Sequence, residues 1–275
     1  MDKPVVKKTE DVRDRPEYWA NIVASLDEAH YKVLDLVAVC PPGRALDLPA
    51  GSGRLSWWLH RKGFQVTAGD IEPEFFRNPE IPTVKADLDG VFPLDDNQFD
   101  YAFCIDGPEH AENLYHTFRE FARVLKPGGR MIVSYPNYSN LESRLRMIFY
   151  GVLEPVEERH QPLRNASEAI TWDNKNTCFQ SGDVTEVQKY NGHINRQPYA
   201  LLRMAMEHAG FRINRITSEK VKTGQLFLLP LYWLILLFTR IQGEKGARKY
   251  WLGEANSYEV LMGGNDLILI ATLEK

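Results

Sequence analysis

Between residues 44 and 135, short apolar runs alternate with segments whose apolar residues recur every three or four positions, the pattern of repeated strand–helix units around a parallel sheet. Residues 44–48 (RALDL) read as a first strand, and Leu55, Trp58 and Leu59 then share one helical face until Gly63 stops the helix. Residues 64–68, 83–86 and 101–105 read as second, third and fourth strands, the last two too apolar on both faces for a water-exposed edge. Leu114, Phe118, Phe121, Ala122 and Leu125 predict a helix, which the run Lys126-Pro127-Gly128-Gly129 ends before a fifth strand at 131–135. A helix carrying Leu202, Ala205, Met206 and Ala209 closes at Gly210 and feeds a sixth strand at 211–216; residues 267–271 form the last.

Everything fits one domain over residues 1–275, with an N-terminal helical segment in 1–40. Two long stretches break the rhythm. Residues 137–198 are an insertion or lid, and residues 219–264 are an apolar insertion between the last two strands, since segments of this length inside a compact domain form binding surfaces. The first opens with Leu141, Leu145, Ile148 and Phe149 at helical spacing and Arg144 and Arg146 on the other side, which predicts an amphipathic lid helix.

Composition adds exclusions. With 33 Lys+Arg against 37 Asp+Glu the net charge is −4, which gives no electrostatic reason for a nucleic-acid partner. The 44% hydrophobic and 25% charged fractions are those of a folded domain. Three cysteines without CxxC spacing argue against a disulfide scaffold or a cysteine zinc site and for a reducing compartment. The N-terminus is charged and lacks an apolar core, so it reads as neither secretory signal nor anchor.

The first strand runs into Asp47-Leu48-Pro49-Ala50-Gly51-Ser52-Gly53-Arg54 and then a helix. Glycines there let the backbone turn tightly and approach a ligand, and the helix N-terminus offers N–H donors. Asp70 ends the second strand, where a carboxylate can accept from both hydroxyls of a ribose. Asp87 follows the third strand, placed to accept from an exocyclic amine, with Leu88 as an apolar contact to the ring. A glycine turn and acids at the carboxyl ends of successive strands point to one nucleoside-binding crevice.

These residues, with Phe99–His110 (FDYAFCIDGPEH) and Leu125–Arg130 (LKPGGR), resemble class I S-adenosylmethionine-dependent methyltransferases, of the small-molecule kind with an EH dipeptide after strand four and Pro136-Asn137 after strand five. The resemblance is close over about residues 40–137 and looser near 193–216 and 266–273. It implies an α/β, Rossmann-like, seven-stranded and mostly parallel sheet of order 3-2-1-4-5-7-6, its last strand antiparallel, with helices on both faces. It also implies S-adenosyl-L-methionine held by Asp47, Pro49, Ala50, Gly51, Gly53, Asp70, Ile71, Asp87, Leu88, Cys104 and Ile105. One departure is Pro49, which stands where the family has its first glycine and lacks an N–H. Two alternatives stay open: a catalytically silent cofactor-binding domain that docks a partner or membrane, and a nicotinamide-dependent oxidoreductase, whose GxGxxG would require a third glycine where Ser56 stands.

Methyl transfer from a sulfonium requires alignment of the nucleophile and, for a hydroxyl or amine, removal of a proton. His110, just after strand four, and His193, before the helix near Gln197, are the candidate catalytic residues; His160 is a third possibility. His30, His60, His116 and His208 fall on predicted helices and read as surface or packing residues. No metal site is expected, because no histidine pair has ligand spacing beside a carboxylate. Tyr18 and Trp19 precede a helix to about Val39 and read as packing on the sheet edge. The acceptor is expected to be a small molecule, or one linked to a lipid or saccharide, methylated on oxygen before nitrogen.

Residues Thr223–Thr239 carry no charge. As one helix they would reach about 26 Å, short of a ~30 Å bilayer core, and Pro230 would disturb it. Spanning would also leave the last strand on the wrong side. A peripheral membrane contact or a homodimer through 224–240 are the open roles, and Arg240, Lys245, Arg248 and Lys249 beyond it favour an anionic surface. The expected place is the cytoplasm, including the inner face of the membrane.

Overall fold

Strands β1 (Arg44–Asp47), β2 (Gln65–Asp70), β3 (Thr83–Lys85), β4 (Phe99–Cys104), β5 (Leu125–Pro136), β6 (Phe211–Ser218) and β7 (Asp266–Leu273) build one sheet. Its order is β3-β2-β1-β4-β5-β7-β6. The first five strands are parallel, and β7 runs antiparallel between β5 and β6. The computed structural model describes residues 26–76, 78, 80–153, 193 and 195–274. Tyr18, Trp19, His160 and most of the 137–198 insertion lie outside them.

Both faces of the sheet are covered because successive strand residues point opposite ways. Leu46, Ala102, Val133 and Leu269 face α3 (Leu114–Val124) and α5 (Tyr199–His208), meeting Phe118, Phe121, Leu202 and Met206. Their neighbours Ala45, Phe103, Ile132 and Ile268 face α1 (Glu28–Val37) and α2 (Arg54–Arg61), meeting Val33, Val37, Leu55 and Leu59.

Four expectations change. β3 is an edge strand after all, its Thr83 and Lys85 exposed, because the sheet offers it only β2 as a partner. The Lys126–Gly129 run does not separate helix from strand: β5 begins at Leu125, which pairs with Phe99, and the run forms an irregularity in which Gly128 takes φ +77° while Lys126 Nζ holds Asp100 at 2.6 Å. The helix α4 (Leu141–Tyr150) keeps only the start of its expected apolar face, with Leu141 buried. Arg144 turns inward, donating to Ser139 O, Asn256 Oδ1 and Ala255 O, while Ile148 and Phe149 are exposed. Finally, residues 223–239 are two pieces, a 3-10 turn at Thr223–Leu228 and then α6 (Leu229–Tyr250), with Pro230 in the first turn of α6, where its missing N–H costs nothing. Short helices α7 (Leu252–Ala255) and α8 (Tyr258–Leu261) lead into β7.

Candidate active site

The carboxyl ends of β1, β2 and β4 meet around the glycine turn. Gly51 (φ +52°) donates its N–H to Asp70 Oδ2 at 2.8 Å, and Glu72 N–H donates to Asp70 Oδ1 at 3.0 Å. Each carboxylate oxygen retains a second lone pair for a ribose hydroxyl. A Cβ on Gly51 would meet nothing within 4 Å, so its backbone borders open space. Gly53 is different: at φ +84° its Cα lies under Phe76, whose ring a Cβ would approach to 2.0 Å. Ala50 N–H donates to Gly69 O at 2.8 Å, which fixes the turn against β2. Pro49 packs against Gly107, where a Cβ would come within 2.5 Å of the proline ring. Pro49 thus replaces the family's flexible glycine with a wall between β1 and the segment after β4.

Asp47 is buried and accepts the Ser56 hydroxyl at 2.6 Å. Burial pushes its pKa up to about 6, although the Ser56 hydrogen bond and His30 favour the charged form. An unfolded aspartate titrates near 3.8, so ionising Asp47 opposes folding. The penalty is absent below about pH 4, grows as pH rises, and is complete above about pH 6, where it is on the order of 2–3 kcal/mol. Asp47→Asn should therefore be more stable than wild type at pH 8 and indistinguishable from it below pH 4, as urea unfolding at the two pH values will measure.

Asp106, Glu109 and Asp47 all bear on Cys104, whose thiol burial first, and these three carboxylates second, push far above its ordinary value. The crevice floor is thus acidic, which fits a ligand carrying sulfonium and ammonium charges. Asp106 (φ +50°) is locked by Ser134, accepting its hydroxyl at 2.6 Å and donating its own N–H to it at 2.7 Å. Ile105 is buried beside it. Asp87 stands at the end of β3 but is exposed and accepts Asp89 N–H at 2.9 Å, while Leu88 is half-buried against the core. Ile71, half-buried, follows β2 directly.

On the acceptor side the two predicted histidines come together. Asn195 does this: its N–H donates to Glu109 O at 2.9 Å, its Nδ2 to Ala111 O at 2.5 Å, and its own carbonyl accepts the Tyr135 hydroxyl at 2.7 Å. His193 is thereby held against His110, ring centroids 5.4 Å apart, with Tyr138 Oη at 2.9 Å from His193 Nδ1. Tyr138 thus engages one nitrogen of the His193 ring.

The buried Glu109 joins them, and one donor atom from each of Glu109, His110 and His193 lies within 4.8 Å of the others. Such a trio can serve proton transfer or hold a divalent cation. The histidine spacing along the chain hid this grouping, because His193 comes from beyond the first insertion.

His30, read from the sequence as a packing or surface residue, belongs to the site as well. Asp27 caps α1 and accepts from His30 Nδ1 at 2.8 Å, and both come within 4.8 Å of Asp106. Burial disfavours the imidazolium, but Asp27, Asp106 and Asp47 outweigh it and raise the His30 pKa. The Asp27–His30 spacing marks a helix cap; nothing local announces Asp106 as its neighbour. His60, His116 and His208 keep their packing roles: His60 approaches Glu80, His116 Nε2 meets Gly90 O at 2.9 Å, and His208 packs on Tyr115.

Residues 46–133 match the family model described as a methyltransferase domain. The chain is 30% identical over 173 residues to 27-O-demethylrifamycin SV methyltransferase of Amycolatopsis mediterranei, covering 54% of this chain and 64% of that one. It is 32% identical over 116 residues to a ubiquinone biosynthesis O-methyltransferase of Xanthomonas campestris, covering 38% and 48%. The chain therefore spans between about half and two thirds of these relatives' lengths. Its fold is similar to that of an S-adenosylmethionine-dependent methyltransferase from Thermotoga maritima, with a TM-score of 0.52 at 14% identity over 94% of each chain.

Proposed function

Because the chain belongs to the class I S-adenosylmethionine-dependent methyltransferases, we propose that it transfers a methyl group to an oxygen of a small-molecule acceptor. The observation that carries this reading is the meeting of His193, His110 and Glu109 beside Tyr138 at the carboxyl ends of β4 and β5. The bound cofactor supplies an activated methyl group on a sulfonium. Asp70, which holds the Gly51 and Glu72 amides, would hold the ribose, and the acidic floor of Asp47 and Asp106 would favour the cationic end of the molecule. His193, its Nδ1 paired with Tyr138 Oη, takes the proton of the acceptor hydroxyl as the oxygen becomes nucleophilic.

Oxygen is preferred over nitrogen because a neutral hydroxyl requires a base while a neutral amine already has its lone pair, and the site supplies a base. Two relatives named for O-methylation favour the same choice. The uncharged stretch beside the crevice favours an acceptor with a lipid or saccharide extension, and a protein working in the cytoplasm at the inner membrane face. Calorimetry with S-adenosylhomocysteine tests the first step: a single binding site per chain is expected, and an undetectable heat with folded protein would refute the reading.

A further inference from the structure

Helix α6 is apolar on two opposite sides, and only one of them is packed. Tyr232, Leu228, Leu229, Ile235 and Leu236 meet Leu141, Leu261 and Met262. On the other side Trp233, Leu234, Leu237, Phe238 and Ile241 are between 52% and 73% exposed, and Phe227 in the preceding turn is 78% exposed. At about 100° per residue the five helical positions fall within roughly 140° of the helix surface, the width that a surface helix normally turns toward a core. A face of this kind open to water marks an interaction site.

The face does not belong to a membrane span. The helical run Thr223–Tyr250 is long and apolar enough to cross a bilayer by length and composition, but Gly243 (φ +51°, ψ −144°) breaks it. β7 follows α6 and inserts between β5 and β6, so the chain must return to the side it left. A helix that is packed along one side and cannot cross must lie along whatever it meets.

Charge selects the occupant. Residues 240–250 contain Arg240, Lys245, Arg248 and Lys249 against Glu244 alone, in a chain whose net charge is −4. Arg240 flanks the apolar face, and the others follow directly beyond the break. A second copy packed antiparallel on this face would set the cationic cluster against the uncharged Thr223–Leu228 turn, which offers it no counter-charge. An anionic lipid surface accepts both parts at once, apolar side chains into the acyl boundary and cations among the phosphates. Trp233 and Tyr250, both more than half exposed, carry the amphipathic rings that settle at such a boundary.

We infer that α6 docks flat on an anionic lipid surface through Phe227, Trp233, Leu234, Leu237, Phe238 and Ile241, with the basic residues 240–249 on the headgroups. The packed side of α6 touches Leu141, which begins the helix just after Tyr138, so docking sets the acceptor end of the sheet toward the lipid. This surface stands independently of methyl transfer.

Sedimentation of the full chain with vesicles of phosphatidylcholine containing 30% phosphatidylglycerol, and with phosphatidylcholine alone, tests it. Binding at least tenfold stronger to the anionic vesicles is expected, weakened by 0.5 M salt. The double variant Leu234→Glu/Phe238→Glu changes exposed side chains only and should lose binding at least tenfold while its circular dichroism and S-adenosylhomocysteine binding stay as in wild type. Lys245→Glu/Arg248→Glu/Lys249→Glu should lose the preference for phosphatidylglycerol. Absence of vesicle binding by wild type, equal binding by the apolar variant, or a dimer in light scattering that the apolar variant dissociates, would each overturn the proposal.

Discussion

Replacing His193 with alanine should lower kcat by about 10²–10⁴-fold, the loss typical of removing a positioned general base, and leave S-adenosylhomocysteine affinity unchanged. The two readouts separate because His193 is pinned through Asn195 to the segment after β4, away from the glycine turn at β1 and β2 where the proposed cofactor residues gather. Tyr138→Phe should cost less, since it removes the partner that orients the ring but leaves the imidazole. Assay after dialysis against EDTA completes the test, because the trio of Glu109, His110 and His193 also has the donors for a cation: undiminished turnover assigns the trio to proton transfer, and turnover restored only by added metal assigns it to cation binding.

Asp70→Ala should weaken S-adenosylhomocysteine by about 10–150-fold, from a loss of about 1.5–3 kcal/mol in hydrogen bonds to a charged acceptor. The carboxylate holds the Gly51 and Glu72 amides at 2.8 and 3.0 Å besides the ribose it is proposed to bind, so the substitution frees the glycine turn at the same time. Asp70→Asn keeps one acceptor oxygen and should fall between alanine and wild type. Calorimetry reads the affinities; at saturating cofactor the kcat of the alanine variant should recover, which a loss of catalytic geometry would not allow.

Much of this arrangement was legible along the chain because it is local. The βα rhythm announced the sheet, and the order Asp47, Gly51, Gly53, Asp70 placed acids and a tight turn at successive strand ends, where the structure has them. The resemblance supplied the position of β7, which alternation alone could not assign. What escaped depends on contacts between distant residues. Arg144 looked like the solvent face of α4 because its partners Ala255 and Asn256 lie more than a hundred residues on, inside the second insertion. His30 looked like packing because Asp106, its neighbour in the crevice, sits beyond four intervening strands. Glu109 was read only as half of a dipeptide, and its grouping with His193 follows from the Asn195 hydrogen bonds, which no spacing rule reports. Lys126–Gly129 misled for another reason: the same glycine that ends helices also serves a strand irregularity, and the pairing of Leu125 with Phe99 decides between them.

The relatives' names suggest acceptors that differ from one another, and the proposed function assigns the choice of acceptor to the His193 side. The central claim is that this chain moves a methyl group from S-adenosylmethionine to such an acceptor using His193. The most direct measurement is transfer of radiolabel from the methyl donor into a cell extract, partitioned between organic solvent and water, with wild type and His193→Ala in parallel. Label in a discrete product, with most of it in the organic phase and at least a hundredfold less formed by the variant, is the predicted result; no labelled product from wild type, or equal labelling by the two proteins, would contradict it.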